Sequence, residues 1–326
     1  VRALVIADQQ LVVETRPDPE PDRGEVLVRV HGAGLNRADL AQRAGFYPAP
    51  PGVPADIPGL EFAGEVVELG PDAHDLDVGD RVFGLVGGGG QAELVTVPAS
   101  HCVRVPDRLD LVIAGGVPEV FVTAHDAMFT QASAAPGEVV LVHAAGSGVG
   151  TAAVQLARAA GCVVVGTSRT AEKLDLCRPL GLDHAVVAPR ELDPAALADA
   201  ITDAAGPIDV TVDLVGGPYL ATDVRAANRL GRIVVVASQA GGRAELEIGA
   251  LMVKRLRIHG TVLRARSVDE KTAATEAFAR DVLPLLSEGT VVPVVANTLP
   301  LDRAEEAYDL LAADAVFGKV VLELSG

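Results

Sequence analysis

Cysteine is scarce in this chain of 326 residues: Cys102, Cys162 and Cys177 stand alone, with no C-x-x-C pair. That excludes a disulfide framework and a four-cysteine zinc lobe, and it fits a reduced, cytoplasmic setting. Basic charge is short as well, with 27 Lys and Arg against 44 Asp and Glu and a formal net charge of −17. So acidic a chain disfavours nucleic acid and anionic membrane surfaces as partners, and any anion site must be basic locally, against the overall field. Long hydrophobic runs are missing; the longest are strand-length, far below the roughly 20 residues of a membrane span. The opening VRALVIADQQLVVE has too short an apolar run and no cleavage-site pattern, so no signal peptide is expected. The seven histidines show no metal-ligand spacing. His101 and Cys102 are adjacent in what reads as a strand, with side chains on opposite faces, and no metal site is expected.

What the chain has is length enough for two domains and a hydrophobic share of 49%, ordinary for a globular protein. Its most informative stretch is residues 138–169, EVVLVHAAGSGVGTAAVQLARAAGCVVVGTSR. Val139 to His143 reads as a strand buried on both faces. Ala144-Ala145-Gly146-Ser147-Gly148-Val149-Gly150 follows as a turn, Thr151 to Ala160 as a helix ended by Gly161, and Cys162 to Gly166 as a second strand. Gly148-Val149-Gly150-Thr151-Ala152-Ala153 fits the dinucleotide pattern G-x-G-x-x-G/A. Glycine tolerates positive φ in the turn and lets a pyrophosphate reach the backbone, and Ala153 lets the helix lie close on its strand. The helix N-terminus, expected at Thr151, offers N–H groups and partial positive charge to phosphate.

The same unit bears on which dinucleotide binds. An NAD-selective site places Asp or Glu about 20 residues after the first glycine. Here that position falls on Thr167-Ser168-Arg169, with no acid. Arg169 can pair a 2′-phosphate, Ser168 can donate to it, and Lys173 lies one helical turn on. The alternative is a pair of solvated charges at a helix start. NADPH is the expected cofactor.

Residues 1 to about 118 carry short β-prone runs (Leu4–Ile6, Leu11–Glu14, Val26–Val30, Phe62–Leu69, Arg81–Val86, Ala92–Val97) between Pro- and Gly-rich turns, a compact β-rich domain. Gly87 to Gly90 lacks a following helix and Lys, and reads as a loop. From Val120, strands at Val139–His143, Cys162–Gly166, His184–Val187, Val210–Leu214, Arg232–Ala237 and Arg257–Val262 alternate with amphipathic helices. That pattern predicts an α/β fold, a doubly wound parallel six-stranded sheet of order 3-2-1-4-5-6. The tail, with a long helix over Val268–Leu286, a strand, a helix over Leu301–Ala313 and a strand at Lys319–Leu324, is expected to return to the first domain.

Gly34-Leu35-Asn36-Arg37-Ala38-Asp39, Gly59-Leu60-Glu61-Phe62-Ala63-Gly64-Glu65-Val66, Gly79-Asp80-Arg81-Val82, Pro118-Glu119-Val120-Phe121-Val122-Thr123-Ala124, the glycine turn and Leu263-Arg264-Ala265-Arg266-Ser267 carry a resemblance over essentially the whole chain. The chain resembles the medium-chain dehydrogenase/reductase superfamily, and more closely the zinc-free NADPH:quinone oxidoreductases, the zeta-crystallin-like group. The resemblance implies a GroES-like catalytic domain from residues 1–118 and 264–326, and a Rossmann domain from residues 119–263. Zinc alcohol dehydrogenases of the superfamily carry Cys where Asn36 stands and His where Leu60 stands, so both ligands are gone. A quinone is already electrophilic and needs less Lewis-acid help than an alcohol carbon, which is compatible with that loss.

By the same resemblance Asn36 and Tyr47 line the pocket over the nicotinamide, Asn36 bonding a carbonyl oxygen and Tyr47 offering a flat face and a hydroxyl. A turn-stabilising Asn and a packing Tyr are the plainer roles. Asp39 and Arg43, four apart, are expected to form an intrahelical ion pair, and Phe46 to pack. Cofactor contacts are expected from Gly146, Ser147, Gly148, Val149, Gly150, Ser168, Arg169 and Lys173. Further contacts are expected from Gly216 with Gly217, from Ala237-Ser238-Gln239 beyond the fifth strand, and from Leu263 and Arg264 beyond the sixth. Thr123 reads equally as a nicotinamide contact and a helix N-terminal hydroxyl. Lys319 reads equally as a cofactor contact and a solvated strand-edge Lys, and His143 as structural. Relatives often carry a Tyr where Ala188 stands; Arg190 can compensate electrostatically, so a preference for NADPH is expected to survive, with relaxed selectivity as the alternative. The expected reaction is hydride transfer from NADPH to a quinone or related conjugated carbonyl. An enone or enoyl-thioester reductase is the rival enzyme, and a non-catalytic NADPH-binding sensor or structural protein the rival of another class. Relatives pair the edge formed here by Arg257 to Val262, so a homodimer is expected.

Overall fold

In the computed structural model, which describes residues 1–324, the chain divides into two compact units: Val1–Val122 with the tail from Leu263, and Thr123–Val262. The first part of the chain supplies β1 (Arg2–Ala7), β2 (Gln10–Thr15), β3 (Glu25–Gly34), β4 (Glu61–Leu69), β5 (Arg81–Leu85), β6 (Leu94–Pro98) and β7 (Cys102–Arg104). Three helices accompany them: α1 (Arg37–Arg43), α2 (Leu111–Ala114) and α3 (Pro118–His125). His101 closes a 3-10 turn, Ala99–His101, rather than sitting in a strand with Cys102, and its ring bonds the Val268 carbonyl.

The second unit contains β8 (Val139–Val142), β9 (Val163–Ser168), β10 (His184–Val187), β11 (Ile208–Asp213), β12 (Ala227–Val235) and β13 (Arg257–Gly260). Interleaved are α4 (Gly148–Ala159), α5 (Ala171–Cys177), α6 (Pro194–Ala205), α7 (Tyr219–Ala226) and α8 (Ile248–Lys254). All strand pairs are parallel and the order is β10-β9-β8-β11-β12-β13, the doubly wound arrangement 3-2-1-4-5-6. Val140, Leu141, Val142, Val164, Val165, Val210 and Val212 are wholly buried. Unbroken apolar runs of this kind suit strands covered by helices on both faces.

The tail adds α9 (Val268–Asp281), α10 (Leu283–Glu288), β14 (Val295–Pro300), α11 (Ala304–Ala312) and β15 (Lys319–Glu323). Its strands complete a mixed sheet, β14-β15-β3-β4-β5-β7, with β6 also on β3. The single long helix expected over 268–286 is broken at Val282, because Pro284 has no N–H and its ring would meet the carbonyl of Arg280. In α11, Ala304, Ala307, Tyr308 and Leu311 are buried at i, i+3, i+4 and i+7 and pack with Val28, Val30, Phe62 and Val320. The buried Tyr308 hydroxyl donates to Gln91 Oε1 at 2.8 Å. Among the described residues no helix is long and apolar enough to cross a membrane.

Replacing Tyr308 by Phe orphans that buried acceptor without emptying the core. Urea unfolding is expected to show a loss of roughly 1–3 kcal/mol with an unchanged m-value.

Candidate functional site

The loop from β3 to α1 places the first group of site residues. Asn36 is extended (φ −129°, ψ 154°) and caps α1. Asp39, three residues on, accepts the Asn36 N–H at 2.7 Å and the Gly59 N–H at 3.1 Å. It is fully buried, and burial raises its carboxyl to about 6 against the opposing pull of those N–H groups and of Lys319 and Arg264. The expected Asp39–Arg43 pair does not form. Arg43 reaches instead to the Gln9 carbonyl and Glu305, since Asp39 points inward to backbone donors. Phe46 does not pack either: Gly45, at φ +80°, turns the chain and leaves the ring 85% exposed.

The Asn36 amide is held at both ends. Its Nδ2 donates to Glu61 Oε1 at 3.0 Å and to the Gly34 carbonyl at 3.3 Å, and its Oδ1 accepts from Lys319 Nζ at 2.7 Å. Lys319, on β15, is 4% exposed, so it is not a solvated edge residue. Its ammonium also touches Glu61 Oε1 at 2.7 Å and the Leu35 carbonyl at 2.5 Å. The remaining oxygen of the buried Glu61, Oε2, accepts the Glu119 N–H at 2.9 Å. A Cβ on Gly34 would stand 2.3 Å from Glu61 Oε1, so glycine is required there.

Tyr47 is half-buried, and burial raises its hydroxyl pKa. Its ring centroid lies 5.0 Å from the Arg264 guanidinium carbon, and its carbonyl accepts Arg264 Nη1 at 3.0 Å. The same buried guanidinium bonds the Gly87 carbonyl at 2.7 Å and Gln42 Oε1 at 2.6 Å. Arg264 therefore fastens three segments of its own unit, and its neighbour Leu263 is buried. The loop at Gly87–Gly90 is thereby part of this cluster.

In the second unit the glycine turn differs in detail from expectation. The helix begins at Gly148, not Thr151, because Ser147 is its N-cap and accepts the Gly150 N–H on Oγ at 3.1 Å. The residue at positive φ is Ala144 (+50°), not a glycine of the motif. Gly150 is needed for close approach: a Cβ there would meet the Ala144 carbonyl oxygen at 2.3 Å. Val149 lies in the first helical turn and Gly146 is buried in the loop before it, so both belong to the N-terminal end of α4, where the first N–H groups have no intrahelical partner.

Ser168 ends β9, buried, with exposed Arg169 beyond it and Lys173 in α5. Ala188 is buried in the apolar cluster with Val165 and Leu197, so no hydroxyl is presented from that position. Gly216 and Gly217 turn at φ +69° and +57°, and a Cβ on Gly216 would meet the Ala237 carbonyl at 2.6 Å. The ends of β11 and β12 thus bring Gly216 beside Ala237, with Ser238 and Gln239 exposed next to them. Thr123 is buried within α3 rather than at its N-terminus. His143 is wholly buried, 2.7 Å from both Thr167 Oγ1 and Asp223 Oδ1. Burial pulls its pKa down, but the Asp223 carboxylate outweighs this and holds it above the ordinary value.

Sequence reasoning passed over Glu61, Glu119 and Asp213. A charged residue inside the apolar run Leu60-Glu61-Phe62-Ala63 was the available signal for the first. Asp213 Oδ1 fixes the β11 turn by accepting the Val215 and Gly216 N–H groups.

A parallel six-stranded nucleotide-type sheet in one unit and a β-rich sheet completed by a returning tail in the other define an alcohol-dehydrogenase-like oxidoreductase. The family models described as alcohol dehydrogenase GroES-like domain and zinc-binding dehydrogenase match residues 22–107 and 148–280. The quinone oxidoreductase of Rattus norvegicus is 32% identical over 312 residues, covering 94% of this chain and 91% of its own. The chain belongs to the quinone oxidoreductase (zeta-crystallin-like) family of the medium-chain dehydrogenase/reductase superfamily. It is also 33% identical over 301 residues to the polyketide synthase GfsB of Streptomyces halstedii, which covers 92% of this chain but only 5% of that far longer protein. Among solved structures, an NAD-dependent alcohol dehydrogenase superposes with TM-score 0.87 at 29% identity over 100% of both chains. A mycobacterial protein complexed with NADPH does so with TM-score 0.87 at 25% identity, over 99% of this chain and 100% of its own.

The zinc implied by one of those descriptions does not fit the residues present. Leu60 is a buried aliphatic side chain, and the Asn36 amide oxygen already faces the Lys319 ammonium at 2.7 Å, a cation that would repel another. Among the described residues no group of three or more His, Cys, Asp or Glu is arranged to hold a metal.

Replacing Lys319 by Met leaves Glu61 buried without its counter-charge, and chemical denaturation is expected to show a loss of about 3–5 kcal/mol. Adding Glu61→Gln to that variant is expected to restore most of the difference.

Proposed function

We propose that this oxidoreductase carries NADPH on the Gly148–Gly150 turn and reduces a quinone or related conjugated carbonyl without zinc. The first unit serves as the substrate domain and the second as the dinucleotide domain. The observation that carries the reading is the Asn36 amide, set between Lys319 and Glu61 where zinc relatives place a metal-binding cysteine. Bound NADPH supplies the hydride, and the chain supplies position and electrostatics. Asn36 and Tyr47 are the catalytic pair: the Asn36 amide N–H polarises the acceptor carbonyl, replacing its long 3.3 Å bond to Gly34. Tyr47, steadied by Arg264, supplies a flat face for the ring. Arg169, Ser168 and Lys173 favour a 2′-phosphate over a bare ribose. Thr123, Leu263 and Arg264 are assigned to the nicotinamide end, Arg264 through the segments it fastens.

A second reading, an enoyl-thioester reductase, is favoured by the similarity to a polyketide synthase segment. The free cysteines suit a reduced cytoplasm. For assembly, β13 is an edge strand of its sheet, and Ile248, Met252, Val253 and Val262 are 58%, 70%, 80% and 53% exposed. Apolar side chains so exposed around an open edge are best covered by a second copy, giving a homodimer. Sedimentation as a monomer would contradict that assembly.

A turnover panel of NADPH and NADH against benzoquinone, an enal and an enoyl-thioester tests the activity. NADPH with benzoquinone is expected to lead, and turnover of the thioester alone would establish the second reading. Arg169→Ala is expected to raise KM for NADPH about tenfold, the effect of one charge-assisted hydrogen bond, with KM for NADH unchanged.

A further inference from the structure

The cluster around Asn36 contains a carboxyl group to which the reduction assigns no task. Glu119 follows Pro118 at the start of α3. Its main-chain N–H is bonded to Glu61 Oε2, which fixes residue 119 to the carboxylate that also holds Asn36 Nδ2 and Lys319 Nζ. Its side chain is placed differently. Among the described residues the Glu119 carboxyl makes no hydrogen bond and no ion pair, yet part of residue 119 remains accessible. Structural carboxylates nearby behave otherwise: Glu61 and Asp39 are fully buried and each accepts several N–H groups.

The groups that face Glu119 come from every side of the unit. Glu61 on β4 and Asp39 on α1 are carboxylates; Lys319 on β15 and Lys271 on α9 are cations. Arg264 and the Tyr47 hydroxyl also lie within its electrostatic reach. Burial and the Glu61 carboxylate, with Asp39 in the same sense, outweigh the two lysines and hold the Glu119 carboxyl up at about 8. At neutral pH it therefore retains its proton, within electrostatic reach of the Tyr47 hydroxyl and the Glu61 carboxylate that holds Asn36, in a residue partly open to water.

We propose that Glu119 is the proton donor of the reduction, an inference that rests on the reductase reading above. An acceptor that receives a hydride at one end of its conjugated system is left with an anionic oxygen or enolate. The Glu119 O–H bond breaks as a new O–H bond forms on a quinol, or a new C–H bond at the α-carbon of an enone. The electron pair stays on the Glu119 carboxylate, which takes a proton back from water. One hydride and one proton thus reach the acceptor, and the solvent restores the acid.

Glu119→Gln keeps the size of the side chain and removes its acidic proton. With NADPH and whichever acceptor the wild type turns over, kcat is expected to fall about 10²–10⁴-fold, the range for a positioned general acid. NADPH affinity, read by nucleotide fluorescence, is expected to stay unchanged. The donor acts only when protonated, so wild-type kcat declines as pH rises through about 8, and that decline is expected to vanish in the variant. On the unaltered protein, a 13C titration of the Glu119 carboxyl carbon reads the same group without turnover and is expected to turn near pH 8. Retention of kcat and of the basic decline by Glu119→Gln, or a carboxyl that titrates at the ordinary value of about 4.3, overturns the assignment of Glu119 alone. A wild type that binds NADPH and reduces neither quinone nor enone overturns the reductase reading, and this inference with it.

Discussion

A buried ammonium facing a buried carboxylate organises the first unit. Lys319 and Glu61 come from strands far apart in the chain, and each is almost wholly out of water. Neither charge is tolerable alone in that interior, because the desolvation of one is offset only by the field and hydrogen bonds of the other. Their contact therefore fixes where β15 lies against the start of β4. It also sets the residues that share their atoms: Leu35 through its carbonyl, Asn36 through both ends of its amide, and Glu119 through its N–H. Gly34 has no side chain because a Cβ would occupy the space of the carboxylate. The same pair gives the site its chemistry. It sets the Asn36 amide in one orientation, stands a cation against its oxygen, and adds a negative neighbour that helps keep Glu119 protonated.

In the second unit the corresponding constraint is steric. Main-chain groups must come close enough to leave helix-end N–H groups uncovered, and Gly150 and Gly216 mark where two stretches of backbone touch. Ala144 takes a left-handed conformation at a cost of roughly 1–2 kcal/mol so that the chain can leave β8 and enter α4 within a few residues. Beneath this turn, His143 is bonded to Thr167 at the end of β9 and to Asp223 in α7. A hydrogen-bonded imidazole thus ties the strand before the turn to its neighbours, while Asp213 does the same for the turn after β11.

The errors in the sequence reading have a common physical origin. Asp39 and Arg43 satisfy the i, i+4 rule for an ion pair, but the rule describes an isolated helix. Here Asp39 lies on the buried face and is taken by backbone donors of Asn36 and Gly59. The helix after the glycine turn starts three residues early because Ser147 caps it, a signal present in the sequence but outweighed by two glycines with poor helix propensity. Lys319 reads equally as a solvated strand-edge residue, and its ammonium is instead buried against Leu35, Asn36 and Glu61, groups remote in sequence. Glu119 escaped notice because nothing in a chain of letters says that a glutamate after a proline will stand beside a second carboxylate.

The sequence alone determined what depends on local order and periodicity: apolar runs that become strands covered on both faces, the helix that carries Ala304, Ala307, Tyr308 and Leu311, and the glycine turn between β8 and α4. These are legible because backbone conformation and burial of one face are decided within a few residues. The tertiary structure alone decided which charges meet. Lys319, Glu61, Asn36 and Glu119 are separated by up to 283 residues, and their ionisation and hydrogen bonding depend on distances that exist only after the sheet has closed around them.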